Sequence, residues 1–119
     1  MPTTQEIAED LVALHREGKF EESGEKYWAD DVVSLEAMPG DMARIVGKEG
    51  VRGKGDWWLA NHEVHEVVVE GPYVNGDQFV VRFKMDLTPK GGERMTMDEV
   101  GLYTLVNGQI VEEQFFYAT

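Results

Sequence analysis

Alternation of apolar and polar residues predicts that the C-terminal quarter of the chain forms a long β-hairpin. Its two strands span roughly Arg94–Val106 and Gln109–Tyr117, and Asn107-Gly108 joins them. Asn-Gly between two apolar-rich runs favours a type I′ turn, because both residues tolerate a positive φ. Aromatic side chains and carboxylates alternate on both faces. This pattern indicates a sheet that is covered on both sides, with at least one acidic side chain directed into an apolar space.

The start of the chain has the spacing of an amphipathic helix. Thr3-Thr4-Gln5-Glu6 has the pattern of a capping box, with a threonine three residues before a glutamate. The apolar stripe that follows consists of Ile7, Leu11 and Leu14. Gly18 marks the end of this helix, and His15 is expected on its surface.

A short helix and a short strand are predicted next. The helix spans Phe20–Trp28 and is closed by Ala29-Asp30-Asp31, and the strand spans Val32–Glu36. Because neighbouring side chains of a strand alternate in direction, Glu36 points away from Leu35 and towards the face that the helices cover.

Glycines are frequent between residues 37 and 56, and they predict a loop that gives way to a weak helix. This helix becomes regular at Trp57-Trp58-Leu59. A phosphate-binding loop is not indicated, because no strand leads into the segment and no Gly-Lys-Ser/Thr follows.

Two more strands precede the hairpin. One spans His65–Glu70 and is followed by Gly71-Pro72, and the other begins after a turn at Asn75-Gly76-Asp77 and alternates cleanly over Phe79–Asp86. Helices followed by four consecutive antiparallel strands, with one short strand inserted early, predict an α+β roll in which helices pack on one face of a curved antiparallel sheet. The length of 119 residues corresponds to one domain over residues 1–119.

Composition and charge narrow the class of partner. The chain has 23 acidic and 11 basic residues and a net charge of −12, so nucleic acid and anionic membranes are poor partners. No apolar run is long enough to cross a membrane and no signal-peptide pattern opens the chain, so we expect a cytoplasmic protein. The absence of cysteine excludes disulfides, thiolate nucleophiles and cysteine-based metal sites.

Several motifs resemble those of a known superfamily. Trp28-Ala29-Asp30-Asp31-Val32 and Asn107-Gly108-Gln109-Ile110-Val111, in this order of elements, resemble nuclear-transport-factor-2-like proteins. Met95-Thr96-Met97-Asp98-Glu99-Val100-Gly101-Leu102-Tyr103 and the ending Glu112-Glu113-Gln114-Phe115-Phe116-Tyr117 are most similar to the SnoaL-like group. The resemblance implies a cone-shaped scaffold with a pocket between the helices and the concave sheet face, and a homodimer through the convex face. This scaffold hosts isomerases, cyclases, dehydratases, epoxide hydrolases and non-catalytic binding modules.

Ketosteroid isomerase, the relative with the best-understood chemistry, allows a comparison by position. The resemblance puts Glu36 at the position of its general base, Gly101 at that of its oxyanion-hole aspartate and Leu11 at that of its oxyanion-hole tyrosine. Two of three functional side chains are therefore replaced, and a ketosteroid-isomerase mechanism is not expected. The Asp-Arg-Asp set of limonene epoxide hydrolase is not expected either, because Arg82 is predicted to face away from the apolar stripe.

Three carboxylates are candidates for acid/base catalysis. Glu36 is a candidate general base, with a bonded carboxylate at the rim of the cone as the alternative. Asp98 and Glu99 are adjacent, so one enters the cone and the other leaves it. Glu99 enters if the stripe of Tyr103 and Leu105 faces inward, whereas a β-bulge would exchange the two. The inner residue is either a catalytic acid or base or a structural hydrogen-bond acceptor.

Aromatic side chains are candidates for a ligand-binding wall, with a filled core as the alternative reading. The candidate ligand-binding residues are Trp57, Trp58, His62, Tyr103, Phe115 and Tyr117. His62 and His65 suit proton transfer or closure of the helix end, and no third ligand is evident that would complete a metal site with them.

The sequence thus predicts a small-molecule pocket that works without a cofactor or metal on a small apolar or aromatic ligand. The reaction class that such carboxylates support is proton transfer next to a carbonyl, as in isomerisation, cyclisation or dehydration. A non-catalytic ligand-binding or dimerisation module, in which the same carboxylates stabilise the fold, is the alternative.

Overall fold

A computed structural model describes residues 1–119, in which three helices pack on one curved, open, six-stranded sheet. The helices are α1 (Thr4–Arg16), α2 (Phe20–Tyr27) and α3 (Lys48–Asn61). The strands are β1 (Trp28–Leu35), β2 (Arg44–Val46), β3 (His62–Asn75), β4 (Gln78–Pro89), β5 (Met95–Val106) and β6 (Gln109–Phe116). None of the helices has both the length and the apolar character that crossing a membrane requires.

The sheet has the order β2-β1-β6-β5-β4-β3. Strands β3 to β6 are consecutive and antiparallel, as predicted, whereas β1 pairs with β6 in parallel. This parallel pair was not predicted, because it joins segments that are far apart in the sequence and leaves no local pattern. The predicted α+β class is confirmed, but the sheet is mixed.

The hairpin between β5 and β6 forms as predicted. Asn107 has a φ of 51° and Gly108 a φ of 77°, so both turn residues occupy the left-handed region that a type I′ turn requires. β4 and β5 pair without a register shift along their length. The direction of every side chain on β5 is therefore fixed by simple alternation.

Helix α1 begins with the predicted capping box, in which the Thr3 side chain and the Glu6 side chain each bond the other's backbone amide. Its buried stripe is continued by His15, four residues beyond Leu11. The prediction of a surface position for His15 is wrong, because the helical repeat puts this residue on the core side, against the ring of Phe83.

Three predicted boundaries are corrected by tertiary contacts. In the glycine-rich segment, the predicted helix is present as α3 and begins at Lys48, and the short strand β2, which was not predicted, precedes it. Helix α2 ends at Tyr27, so that Trp28 opens β1. Strand β3 continues through Gly71-Pro72, where its pairing with β4 shifts register instead of ending.

The hydrophobic core lies between α1 and the inner face of the sheet. The inward positions of β4 alternate strictly and are all buried, as predicted for this strand. They are Phe79, Val81, Phe83, Met85 and Leu87. Helices α2 and α3 stand at the other end of the concave face, where the core does not fill the space between helices and sheet.

Candidate functional site

A cavity of about 780 Å³ lies between the helices and the concave face of the sheet. Its wall is mostly apolar and contains eight aromatic side chains of Phe, Trp and Tyr and five of the six methionines of the chain. Methionine side chains are flexible and adapt to irregular shapes, so this wall can accommodate apolar molecules of different shapes. Among the residues predicted to be functional, those that line the cavity are Glu36, Trp57, Trp58, His62, Glu99, Tyr103, Phe115 and Tyr117.

Glu99 is on β5, opposite Phe83 of β4, and its side chain enters the cavity. It makes no hydrogen bond and no ion pair. Burial raises the pKa of its carboxyl from 4.5 to about 7, and the negative charge of Glu36 contributes in the same direction. A carboxyl group with this pKa exchanges its proton readily at neutral pH.

Asp98 is not part of the site. Its carboxylate accepts two hydrogen bonds from the guanidinium of Arg82, at 3.0 and 2.7 Å, on the outer face of the sheet. This ion pair lowers the pKa of Asp98. Because β4 and β5 pair without a bulge, Glu99 is the inner member of the pair and Asp98 the outer one. Asp98 is removed from the candidate catalytic residues.

Glu36 follows the end of β1 and is held by two partners. The Tyr117 hydroxyl donates to its Oε1 at 2.8 Å, and the ammonium of Lys54 lies 2.6 Å from its Oε2. Burial raises the pKa of Tyr117 to about 12, and the bond to Glu36 acts in the same direction. The carboxylate of Glu36 therefore lines the cavity with both of its oxygen atoms engaged, one by Tyr117 and the other by Lys54.

Lys54 of α3 is a site residue that the sequence did not indicate. Besides Glu36, its ammonium donates to the Ser34 hydroxyl at 2.7 Å and lies 5.4 Å from the centre of the Phe115 ring. The residue is in the glycine-rich stretch for which the sequence predicts a loop that gives way to a weak helix. A helical repeat was nevertheless present, because Val51 and Trp58 stand three residues before and four residues after Lys54 and also line the cavity.

Glu113 of β6 is a further carboxylate in the lining of the cavity and was also missed. It is buried and accepts hydrogen bonds from the Trp28 indole at 2.7 Å and from the Ser34 hydroxyl at 3.1 Å. Burial raises the pKa of its carboxyl. The parallel pairing of β1 and β6 sets Ser34 beside Glu113. A continuous chain of hydrogen bonds thus runs from Glu36 through Lys54 and Ser34 to Glu113.

A glycine makes the position of Trp28 feasible. A Cβ atom on Gly24 of α2 would lie 2.4 Å from two atoms of the Trp28 ring, which is closer than real Cβ contacts allow. The absence of a side chain at residue 24 therefore lets the indole lie against α2 and reach Glu113.

Tyr103 and Phe115 form a firm aromatic wall. The Tyr103 ring stacks on Phe79, with centres 4.9 Å apart, and meets the Phe115 ring edge-on at 6.2 Å. Its hydroxyl makes no hydrogen bond, and burial raises its pKa. Gly101 permits this arrangement, since a Cβ atom there would lie 3.1 Å from the Tyr103 ring.

The end of α3 supplies a second aromatic group. His62 stacks on Trp58 with ring centres 4.4 Å apart, and its Nδ1 donates to the Trp58 carbonyl at 2.7 Å. Trp57 is half exposed at the edge of the cavity. His65 lies outside the site and bonds the Thr88 hydroxyl. No group of three His, Asp or Glu side chains is arranged as a set of metal ligands.

His15 lines the inner end of the cavity and is neutral at physiological pH. Burial lowers its pKa from 6.5 to about 4. Its Nε2 donates to the Ser23 hydroxyl at 2.8 Å, because that hydroxyl donates its own proton to the Phe20 carbonyl. The Nδ1 atom is buried without a partner.

Solved structures that are similar to the chain support one family. A crystal structure from Mesorhizobium loti, of a candidate SnoaL-like polyketide cyclase that also carries the description carbohydrate phosphatase, is 59% identical and has a TM-score of 0.95. The match covers 98% of this chain and 100% of that one.

More distant structures share the fold alone. A candidate SnoaL-like polyketide cyclase from Jannaschia is 20% identical with a TM-score of 0.76, over 95% of this chain and 83% of that one. A candidate isomerase from Bacillus subtilis is 15% identical with a TM-score of 0.80, over 98% of this chain and 90% of that one.

A comparison with curated proteins finds no match. The family profile of the SnoaL-like domain, in contrast, matches residues 2–117, which is nearly the whole chain. The chain belongs to the SnoaL-like family, within the nuclear-transport-factor-2-like fold.

Proposed function

We propose that this protein binds a small, largely apolar molecule in its cavity and transfers a proton to or from it, with Glu99 as the acid/base group and without a cofactor. The observation that carries the proposal is the contrast among Glu36, Glu99 and Glu113, the three cavity carboxyl groups that are not exposed. Glu36 and Glu113 are held by hydrogen bonds, whereas Glu99 has no partner and a pKa raised to about 7. A group that titrates near neutral pH in an apolar cavity is suited to general acid/base catalysis.

Glu36 is the second group of the proposed mechanism. It lies close enough for its charge to raise the pKa of Glu99, and the ammonium of Lys54 compensates that charge. Two carboxyl groups in different environments can take the separate roles of acid and base. Isomerisation, cyclisation and dehydration can each use such a pair, because a proton leaves one atom of the substrate and a proton is delivered to another.

The aromatic and methionine wall supports a ligand with an apolar body. Trp58, His62, Tyr103 and Phe115 are proposed to contact it, with Trp57 at the entrance. The hydroxyl of Tyr103 is a neutral donor without a partner and is proposed to orient a polar group of the ligand.

Deuterium exchange tests the proton transfer without knowledge of the natural substrate. Neutral cyclic ketones with acidic α-protons would be incubated with the protein in D₂O at neutral pD, and the loss of each α-proton signal followed by NMR. We expect exchange faster than in buffer, and a loss of about a hundredfold or more in Glu99→Gln. Asp98→Asn, which makes the same change on the outer face, should exchange like the unaltered protein. Equal rates in Glu99→Gln and the unaltered protein would remove Glu99 from the mechanism.

Ligand binding without turnover is the second candidate function. It is favoured by one specific observation, namely that two of the three carboxylates are engaged in bonds that join β1, α3 and β6. In this case the ketones would bind, as seen from shifts of protein NMR signals, but their α-protons would exchange no faster than in buffer.

A homodimer through the outer face of the sheet is also proposed. Apolar side chains are exposed there, namely Val68, Val106 and Phe116. Light scattering after size-exclusion chromatography tests the dimer, and a single mass of 13.5 kDa would exclude it.

A further inference from the structure

Acidic side chains outnumber basic ones in the lining of the cavity. Six acidic residues and only two basic residues line it. Both basic side chains are already engaged, since Arg52 binds Glu25 outside the cavity and Lys54 binds Glu36 inside it. No cation of the protein is therefore left to balance a further negative charge within this space.

The imbalance is greatest in the interior. The single ammonium group of Lys54 lies near three carboxyl groups, those of Glu36, Glu99 and Glu113. Burial raises the pKa of Glu99 and of Glu113. An ionised carboxylate in an apolar space is unfavourable unless a positive charge accompanies it. The negative charge in the cavity is neutralised either when the carboxylates bind protons or when a positively charged ligand binds beside them.

The aromatic wall is equally suited to a cation. Faces of aromatic rings attract positive charge, most strongly where water is excluded. The Phe115 ring already has the ammonium of Lys54 5.4 Å from its centre. Trp58 and Tyr103 contribute further rings to the same cavity.

Features that would stabilise a negatively charged ligand are absent at two informative positions. The resemblance to ketosteroid isomerase expects hydrogen-bond donors for an oxyanion at residues 11 and 101, and these are Leu11 and Gly101. Leucine has no polar side-chain atom and glycine has no side chain, so neither position supplies a side-chain donor. The charge balance and the aromatic rings both favour a positively charged ligand.

We propose that the cavity selects organic ammonium compounds with an apolar body over neutral compounds of the same shape. The inference deepens the proposed function, because it names the ligand class for the same cavity.

A pair of probes with one shape and different charge tests the proposal. Phenyltrimethylammonium carries a fixed positive charge, and tert-butylbenzene is its neutral isostere. Both would be titrated into the isotopically labelled protein at pH 7.5, below the solubility limit of the neutral probe, and binding followed by NMR. Salt at about 150 mM reduces general attraction of the cation to the acidic surface. We expect the cation to bind at least about tenfold more tightly than its isostere.

Two matched variants identify the origin of the preference. Glu99→Gln removes one carboxylate from the cavity, and Asp98→Asn removes one from the outer face, so both change the net charge equally. We expect the preference to fall severalfold in Glu99→Gln and to be unchanged in Asp98→Asn, with both NMR spectra showing a folded protein. Equal binding of the two probes, or an equal effect of the two variants, would overturn the proposal.

The result is separable from the test of proton transfer. Ketone exchange that depends on Glu99, together with equal binding of both probes, would retain the proposed function and remove the preference for cations. Preferential binding of the cation without ketone exchange would retain the ligand class and exclude the proposed catalysis.

Discussion

Replacing Glu99 by glutamine should stabilise the protein at alkaline pH. The pKa of this carboxyl rises from 4.5 to about 7 on folding, because burial and the charge of Glu36 disfavour its ionised form. The folded state therefore holds the proton more tightly than the unfolded state does. The resulting contribution to stability is fully present below pH 4.5 and is lost as the pH rises to 7.

The magnitude follows from the same rise in pKa. A shift from 4.5 to about 7 corresponds to at most roughly 3 kcal/mol, since one pKa unit is worth about 1.4 kcal/mol. Water that enters the cavity reduces this value, so we expect a gain of about 1 to 3 kcal/mol for Glu99→Gln at pH 8. At pH 4 the two proteins should be nearly equal in stability, because glutamic acid and glutamine are then both neutral.

Urea unfolding followed by tryptophan fluorescence provides the assay, at several values between pH 4 and 8.5. The difference in free energy of unfolding between Glu99→Gln and the unaltered protein should grow through the window from 4.5 to 7. Asp98→Asn is the control. It removes an exposed ion pair with Arg82 and should change stability by less than about 1 kcal/mol. A Glu99→Gln variant no more stable than the unaltered protein at pH 8 would refute the claim that Glu99 is buried without a partner.

Three further predictions concern the surroundings of the site. Lys54→Met removes the only ammonium among three carboxylates, and NMR titration should show the pKa of Glu99 above about 7; an unchanged value would contradict the charge balance described above. Gly24→Ala should displace the Trp28 indole that packs against Gly24 and lower the free energy of unfolding by about 1 to 3 kcal/mol. Gly53→Ala is the control, because the space around Gly53 is open, and it should not destabilise the protein. Urea unfolding compares the two variants. His15 should lower stability by up to roughly 3 kcal/mol as the pH drops from 6.5 towards 4, because the unfolded chain takes up a proton there that the folded state excludes, and this loss opposes the gain from Glu99 over the same range. In thermal melts, His15→Gln should therefore gain more stability on acidification than the unaltered protein does.

The inward direction of Glu99 was predictable because it depends on local features. The Asn107-Gly108 turn and the strict alternation of β4 and β5 fix which side chains enter the cone. The sequence left a choice between Asp98 and Glu99 only because a bulge was conceivable, and the regular pairing of these strands removes that choice.

Other site residues were hidden because tertiary contacts define them. Lys54 is in a helix that contains three glycines, and packing on the sheet outweighs their low helix propensity. Glu113 was visible as a member of the stripe with Phe115, yet its hydrogen-bond partners come from β1, which pairs with β6 across most of the sequence. His15 was predicted on the surface because it is polar, yet it occupies a buried position on the core side of α1.

An unpaired carboxyl group projects from β5 into the apolar cavity, and the proposed proton transfer depends on it. The most direct measurement is the pKa of Glu99, obtained by following its carboxyl carbon signal by NMR between pH 3 and 9, with Glu99→Gln to assign the signal. We predict a midpoint of about 7. A midpoint at the ordinary value of 4.5 would mean that the carboxylate is solvated or paired, and it would contradict the proposed acid/base role.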